Sequence, residues 1–278
     1  MKRLPVFFRL WLSGISLPAR RLVISGSLLL SSIVSQAQII KVNPIDSYLS
    51  KEDMAYYSKI AAFEVKFYNT VFDTRKNDSC VVNIDLYGNL KAYNVVQKNG
   101  LNTTFIDGFY TPVDNRVHVY KSDRFMGVLI HETSHCILEN NYKRSPQWLN
   151  EGVATLFSNL IIQKGEVFYT PNIPYINFVK DMIYDGKFNL KAFFDYSPHD
   201  FADHDKRPYV YAMSYCIVYF FVNFDIDYLQ RILVQMQQGQ TTMDALGKVF
   251  GGFDKFEKRF KDFYKPEVGY NPHLYKYN

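Results

Sequence analysis

The residues able to do chemistry are concentrated in one short run. Between Phe125 and Leu138 stands His131-Glu132-Thr133-Ser134-His135, a His-Glu-x-x-His pattern in a stretch of helical character. Residues four apart share one face of a helix, so both imidazoles can reach a single metal ion. Glu132 then stands beside an open coordination position, where a carboxylate can take a proton from water. The neighbours Val128, Leu129, Ile130, Ile137 and Leu138 are apolar. Two imidazoles and a carboxylate in such surroundings need partners, and a metal ion supplies them better than a simple pair of core histidines.

A catalytic zinc takes three protein ligands and keeps one position open. Leu138 and Asn141 occupy the places of the Gly and third His that would continue the run, which excludes a local three-His site. The next helix offers Glu151. Ser145 reads as its N-cap and Pro146 as its first residue, and the pattern predicts a helix ending near Gly165. His135 lies about five residues before the Asn140-to-Ser145 turn and Glu151 about five into the second helix. At 1.5 Å per residue, both then sit roughly 7–8 Å from that turn and meet at one height in an antiparallel hairpin. Gly152 costs about 1 kcal/mol in a helix interior, which a close approach of these two helices would explain.

With Trp148-Leu149-Asn150-Glu151-Gly152 following, the chain resembles the gluzincin metallopeptidases, the thermolysin and zinc-aminopeptidase clan. It is most similar to the bacterial peptidase MA-like exported domains, over Thr103 to about Tyr264. The resemblance implies that His131, His135 and Glu151 are ligands of one Zn2+ and that Glu132 is the general base. Tyr211, in Tyr211-Ala212-Met213-Ser214, matches the Tyr-x-x-Ser/Gly that opens a later helix of the family and becomes the oxyanion donor, with Tyr209 and Tyr215 as rivals. The implied activity is hydrolysis of peptide bonds in a peptide or protein by metal-activated water.

Three departures qualify it. Fifteen residues separate His135 from Glu151, a spacer that suits the compact MA-like group. Thr155 stands where some relatives carry an acidic residue that orients a ligand, leaving that partner unidentified. No Glu lies between Glu64 and Glu132, although aminopeptidases of the clan read the substrate amine with one near the preceding strand. Asp107 and Asp114 are the available substitutes, so an endopeptidase is expected, with the Arg116-to-Tyr120 strand pairing to an extended substrate. The alternative is a non-catalytic metal-binding or structural protein on the same scaffold.

The elements that must position these residues form two parts. A helix is predicted from Ser50, as N-cap, to about Phe72, with an apolar stripe of Tyr56, Ile60, Phe63, Phe67 and Val71. Strands are predicted at Cys80 to Tyr87, at Leu90 to Val96 after a Gly88-Asn89 turn, at Thr103 to Tyr110 and at Arg116 to Tyr120. After Ser122 the pattern is helical almost to the end, closing on a Phe253, Phe256, Phe260, Phe263 stripe suited to packing. The expected class is α+β: a small mixed sheet with a helix, at residues 38–121, then a mainly helical zincin body at 122–265. Together they make a single catalytic domain, 38–278. The 23 Phe, 22 Tyr and 2 Trp are scattered at helix and strand spacings, which indicates aromatic core packing and not a sugar platform.

Composition and charge narrow the remaining classes. With 47% apolar and 21% charged residues the chain is globular in type. Lys2, Arg3, Arg9, Arg20 and Arg21 precede an apolar run, Leu22 to Val34, and Ser35-Gln36-Ala37 supplies a small-x-small cleavage site. This reads as a secretory signal over residues 1–37, so an exported protein is expected, periplasmic, surface-held or secreted. The alternative, an uncleaved anchor, would have to span a ~30 Å hydrocarbon core with a run that makes only about 20 Å of helix. Beyond that segment 27 basic residues face 27 acidic ones, which removes the basis for nucleic-acid binding. Cys80, Cys136 and Cys216 allow at most one bridge, and nothing in the sequence chooses the pair. His118 alternates with apolar neighbours and is expected to face the cleft or solvent. His199-Asp200 and Asp203-His204-Asp205 read as a solvated loop in preference to a second cation site.

Overall fold

The computed structural model describes residues 39–101 and 106–265, so the predicted export segment lies outside the described residues. Strand β1 (Ile39–Ile45) leads into helix α1 (Lys51–Val71), whose first turn is held by Ser50 Oγ accepting the Asp53 N–H at 3.0 Å. The fully buried face of α1 carries Tyr57, Ile60, Glu64, Tyr68 and Val71, a part turn away from the expected stripe, while Tyr56 and Phe63 are half-buried. A short 3-10 turn, Lys76–Ser79, precedes strand β2 (Val81–Tyr87).

Leu90 to Val96 is not a strand. It belongs to helix α2 (Leu90–Leu101), because Asn89 acts as a cap and not as a hairpin turn: its Oδ1 accepts the N–H groups of Lys91 and Ala92 at 2.9 and 3.3 Å. Of the strand expected from Thr103 to Tyr110, residues 103–105 lie outside the described residues; strand β3 covers Gly108–Thr111, and strand β4 (Arg116–Tyr120) is as expected. The four strands form a mixed sheet in the order β1-β2-β4-β3, with β1, β2 and β4 parallel and β3 antiparallel to β4. Parallel neighbours cannot be joined by a hairpin, and α2 lies in the crossover between β2 and β4. Val82, Ile84, Leu86, Val117 and Val119 face the main core, and Tyr87, Tyr93 and Phe109 form a smaller core under α2.

The helical part begins with α3 (Phe125–Asn141) and α4 (Gln147–Phe157). Pro146 is the N-cap of α4 and not its first residue; its carbonyl accepts from Leu149 and Asn150 at 3.0 and 3.1 Å, and Ser145 makes no cap bond. The helix ends at Phe157, well before Gly165. An antiparallel hairpin follows instead, β5 (Leu160–Gln163) and β6 (Glu166–Tyr169), turning at Lys164 and Gly165 with φ of 48° and 79°. Two successive left-handed residues make the turn that suits strand twist, so Gly165 marks a hairpin and not a helix end.

Helices α5 (Ile173–Tyr184), α6 (Leu190–Phe194) and α7 (Pro198–Ala202) lead to α8 (Arg207–Phe224), which is buried almost throughout. His199 and Asp200 thus lie in a short helix and not a loop, while His204 stays almost fully exposed. Helices α9 (Ile226–Gln237), α10 (Thr242–Phe250) and α11 (Phe253–Phe263) close the body, with Phe256 and Phe260 packed on Phe220 of α8. Gly152 of α4 serves an approach to α8 and not to α3: a Cβ there would fall 2.4 Å from the Ser214 carbonyl oxygen and 2.7 Å from Val218 Cγ2. The architecture is α+β, a small mixed sheet followed by a mostly helical body.

Candidate metal centre

Helix α3 is oriented by two of the three residues between its histidines, Thr133 and Ser134. The Thr133 Oγ1 lies 2.6 Å from the Tyr57 hydroxyl and Ser134 Oγ lies 2.7 Å from that of Tyr68, both on α1. With that face tied to α1, His131 and His135 turn toward α4. Their rings are 4.7 Å apart and nearly perpendicular. Glu151 of α4 meets them as the hairpin geometry predicts: His131 Nε2 is 3.4 Å from Glu151 Oε2, and His135 Nε2 is 3.9 Å from Oε1.

One donor atom from each of His131, His135 and Glu151 lies within 4.8 Å of the others. Two observations show that this set suits a metal ion. Glu151 Oε2 is buried without a hydrogen-bond partner, a costly state that a cation would relieve. His135 Nδ1 is 2.9 Å from Asn150 Oδ1, and a bond to an amide oxygen requires the proton on Nδ1, which leaves the Nε2 lone pair toward Glu151. The buried group can therefore hold a metal ion. Asn150 is the orienting partner that the sequence left unidentified; its position beside Glu151 was the available signal. Thr155 does not fill that role: it is buried, and its hydroxyl has no partner.

The two carboxylates are driven apart electrically. Burial resists ionisation of Glu151, but His135, His131 and the Tyr211 hydroxyl outweigh it and hold its pKa down at about 2. Glu132 is pushed up to about 7, chiefly by burial and then by the Glu151 charge, against the opposing influence of His135 and the Tyr110 N–H. One carboxylate is ready to stay charged and the other to exchange a proton near neutrality.

Tyr211 is placed at this group and its rivals are not. Its ring lies parallel to that of His131 at 6.5 Å, and it lines the same cavity as Glu151. Burial and Glu151 hold the phenol well above its ordinary pKa, so it remains a proton donor. Tyr209 packs among Phe178, Phe193 and Tyr196, and the Tyr215 hydroxyl accepts the Asn172 N–H at 2.9 Å.

His131, Glu132, His135, Glu151 and Tyr211 line an open cavity of about 1210 Å³. The strand bordering it is β3, not β4. Strand β4 is paired on both sides, by β2 and β3, so its backbone cannot receive a further chain. Strand β3 is one of the two edges of the sheet, and Tyr110 lines the cavity together with Glu132. Gly108 permits the approach of β3 to α3, since a Cβ there would lie 2.3 Å from Val128 Cγ1 and 3.2 Å from Glu132 Cγ.

Asp107 lines the cavity but is engaged by Arg124 at 3.0 Å, and Asp114 lies outside it, accepting from Thr111. His118 faces neither cleft nor solvent. It is buried under α2, stacked on Phe109 at 4.8 Å, with Nδ1 3.5 Å from Asp85 Oδ2, because that face of the sheet is itself covered. No protein-family model and no curated protein matches this chain, so the metal-centre assignment stands on the geometry of His131, His135 and Glu151.

Proposed function

We propose that this chain is a zinc-dependent hydrolase of gluzincin type that cleaves peptide bonds, internal bonds in preference to terminal ones. The observation that carries the reading is the convergence of His131, His135 and the orphaned Glu151 Oε2 beside the buried carboxyl of Glu132 in one open cavity. His131, His135 and Glu151 would hold the ion, leaving Glu132 outside the ligand set. When bound, zinc supplies Lewis acidity, which acidifies water and polarises a carbonyl.

The chain's own groups do the rest. Glu132 accepts the proton of the attacking water and returns it to the departing amine, a role suited to a carboxyl whose pKa lies near the working pH. Tyr211 donates its hydroxyl hydrogen to the developing oxyanion. The outer edge of β3, Gly108–Thr111, pairs with an extended substrate by backbone hydrogen bonds, taking over the part first expected of β4. An endopeptidase is favoured because Asp107, the acid on the strand side of the cavity, is already paired with Arg124.

Export through residues 1–37 remains part of the proposal. No helix among the described residues is long and apolar enough to cross a membrane. The test is metal content together with cleavage of an unbiased peptide mixture. The wild type should carry about one zinc per chain, and Glu132→Gln should keep the zinc while losing at least ~100-fold in cleavage. Zinc binding without cleavage would identify the inert-scaffold alternative, and absence of zinc would sink both.

A further inference from the structure

The cavity carries unbalanced charge at one end. Strand β3 runs beside α3 in the same direction. Gly108 lies against Val128 and Glu132, and farther along the Tyr110 hydroxyl and Cys136 Sγ both donate to Asn115 Oδ1, at 3.0 and 3.3 Å. The end of the cavity beyond His135 is therefore bounded by Pro112 and Val113 on the strand side and by Lys143 and Arg144, in the α3–α4 turn, on the other. Both cations are exposed, and neither side chain has an ion pair among the described residues. Glu139, the acid at that end, accepts the Arg144 N–H at 3.3 Å, so two cations face one carboxylate. At the opposite end Arg124 is matched by Asp107 at 3.0 Å. The backbone marks Arg144 as well. Its φ of 55° lies in the left-handed region, which glycine enters without steric cost and a long side chain does not. The bond to Glu139 and that of the Ser145 N–H to the Tyr142 carbonyl, at 3.2 Å, hold it there. An arginine kept in a strained conformation beside a cavity points to use of its side chain.

We infer that Lys143 and Arg144 form a specificity subsite for an acidic side chain of the substrate peptide, at about the third or fourth residue before the cleaved bond. The inference rests on the hydrolytic reading proposed above. Direction follows from the sheet. An extended peptide added to β3 pairs more stably when antiparallel, so its amino-terminal part lies over Thr111 to Val113 and reaches the basic turn. Position follows from the helix. Asn141, the last residue of α3, is six residues or about 9 Å beyond His135, and extended peptide advances about 3.3 Å per residue. A substrate carboxylate at that place meets an ammonium and a guanidinium, whereas a substrate lysine would meet like charge.

The test uses two mixtures of fluorescein-capped, amidated decapeptides, randomised except at residue 3, which is Glu in one and Gln in the other. With zinc-loaded wild type, the Glu mixture should be cut about 3–10-fold faster after residues 5 and 6, an advantage that about 0.5 M NaCl should reduce below twofold. Fluorescence anisotropy with the full-length Glu132→Gln chain should show the Glu mixture bound more tightly by a similar factor, a readout that needs no turnover. Arg144→Gly suits the left-handed backbone of the turn. Combined with Lys143→Ser, it should leave Tm unchanged and reduce both preferences below twofold. Tighter binding of the Glu mixture with no cleavage of either would sink the hydrolytic reading and leave the acid-binding subsite standing. Equal binding of the two mixtures, a preference that survives the double variant, or faster cutting only before residue 3 would overturn the inference.

Discussion

Asn150 and Glu151 are consecutive on α4, yet they address the same histidine from two sides. Asn150 Oδ1 receives the Nδ1–H of His135 at 2.9 Å, and Glu151 Oε1 lies 3.9 Å from its Nε2. The ring is thus held between the residue that sets its tautomer and the residue with which it would share a metal.

Asn150→Ala should consequently weaken zinc binding by about 10–100-fold while leaving the three ligands in place, the usual cost of losing a group that orients a ligating His. Asn150→Asp, which keeps the acceptor, should bind within a few-fold of wild type. Competition against a chromogenic chelator reads both. Equal affinity of wild type and Asn150→Ala would show that the bond does not orient the ring.

Tyr211 and Tyr215 are separated by one helical turn and should fail in different ways. Tyr211→Phe should keep zinc and thermal stability but lose roughly 10²–10³-fold in kcat, as expected when an oxyanion donor is removed. Tyr215→Phe deletes the acceptor of the Asn172 N–H in the core and should lower stability by about 1–3 kcal/mol with little effect on kcat per folded molecule. Kinetics and thermal denaturation on the same two preparations check the pair.

Gly152→Ala is predicted to destabilise although alanine is the better helix former. The added methyl would sit 2.4 Å from the Ser214 carbonyl oxygen, which is backbone and cannot turn aside. Overpacking of this kind costs about 1–3 kcal/mol, more than the ~1 kcal/mol that alanine gains in propensity. Urea unfolding should show a lower midpoint; an unchanged or higher midpoint would mean that α4 and α8 separate freely.

Glu64 gives the fold a pH dependence of its own. It is wholly buried on α1, neither carboxylate oxygen has a hydrogen-bond partner, and burial raises its pKa well above the ordinary carboxylate range. The folded chain therefore keeps a proton that the unfolded chain releases above about pH 4.3. Glu64's contribution to stability is then fully present below that pH and is lost as pH rises through the raised folded pKa, by about 1.4 kcal/mol per unit. Glu64→Gln cannot ionise, so relative to wild type its stability should improve steadily from pH 4.5 to pH 7.5. Parallel pH curves for the two proteins would remove Glu64 as the source.

The part of this site that is local chemistry was legible in the chain. His131 and His135 share a face because a helix repeats every 3.6 residues, and Glu151 meets them because two short helices joined by a tight turn bring equal distances together. Ser50 capped α1 and Arg116–Tyr120 formed a strand for similarly local reasons. What the sequence could not supply were choices between equivalent local options. Leu90 to Val96 suits either strand or helix; the parallel pairing of β2 with β4 requires a crossover, and α2 provides it. The cavity belongs to β3 because strand order, a long-range property, leaves that strand at an edge. Gly152 signalled a close neighbour without naming it, and only the packing of α8 supplied Ser214. Tyr211 was one of three tyrosines on a single helix until the rotation of α8 directed it toward Glu151 and its neighbours into the core. Periodicity, spacing and capping act over a few residues and are written in the chain; register, strand order and helix rotation are settled by burying the whole apolar surface at once.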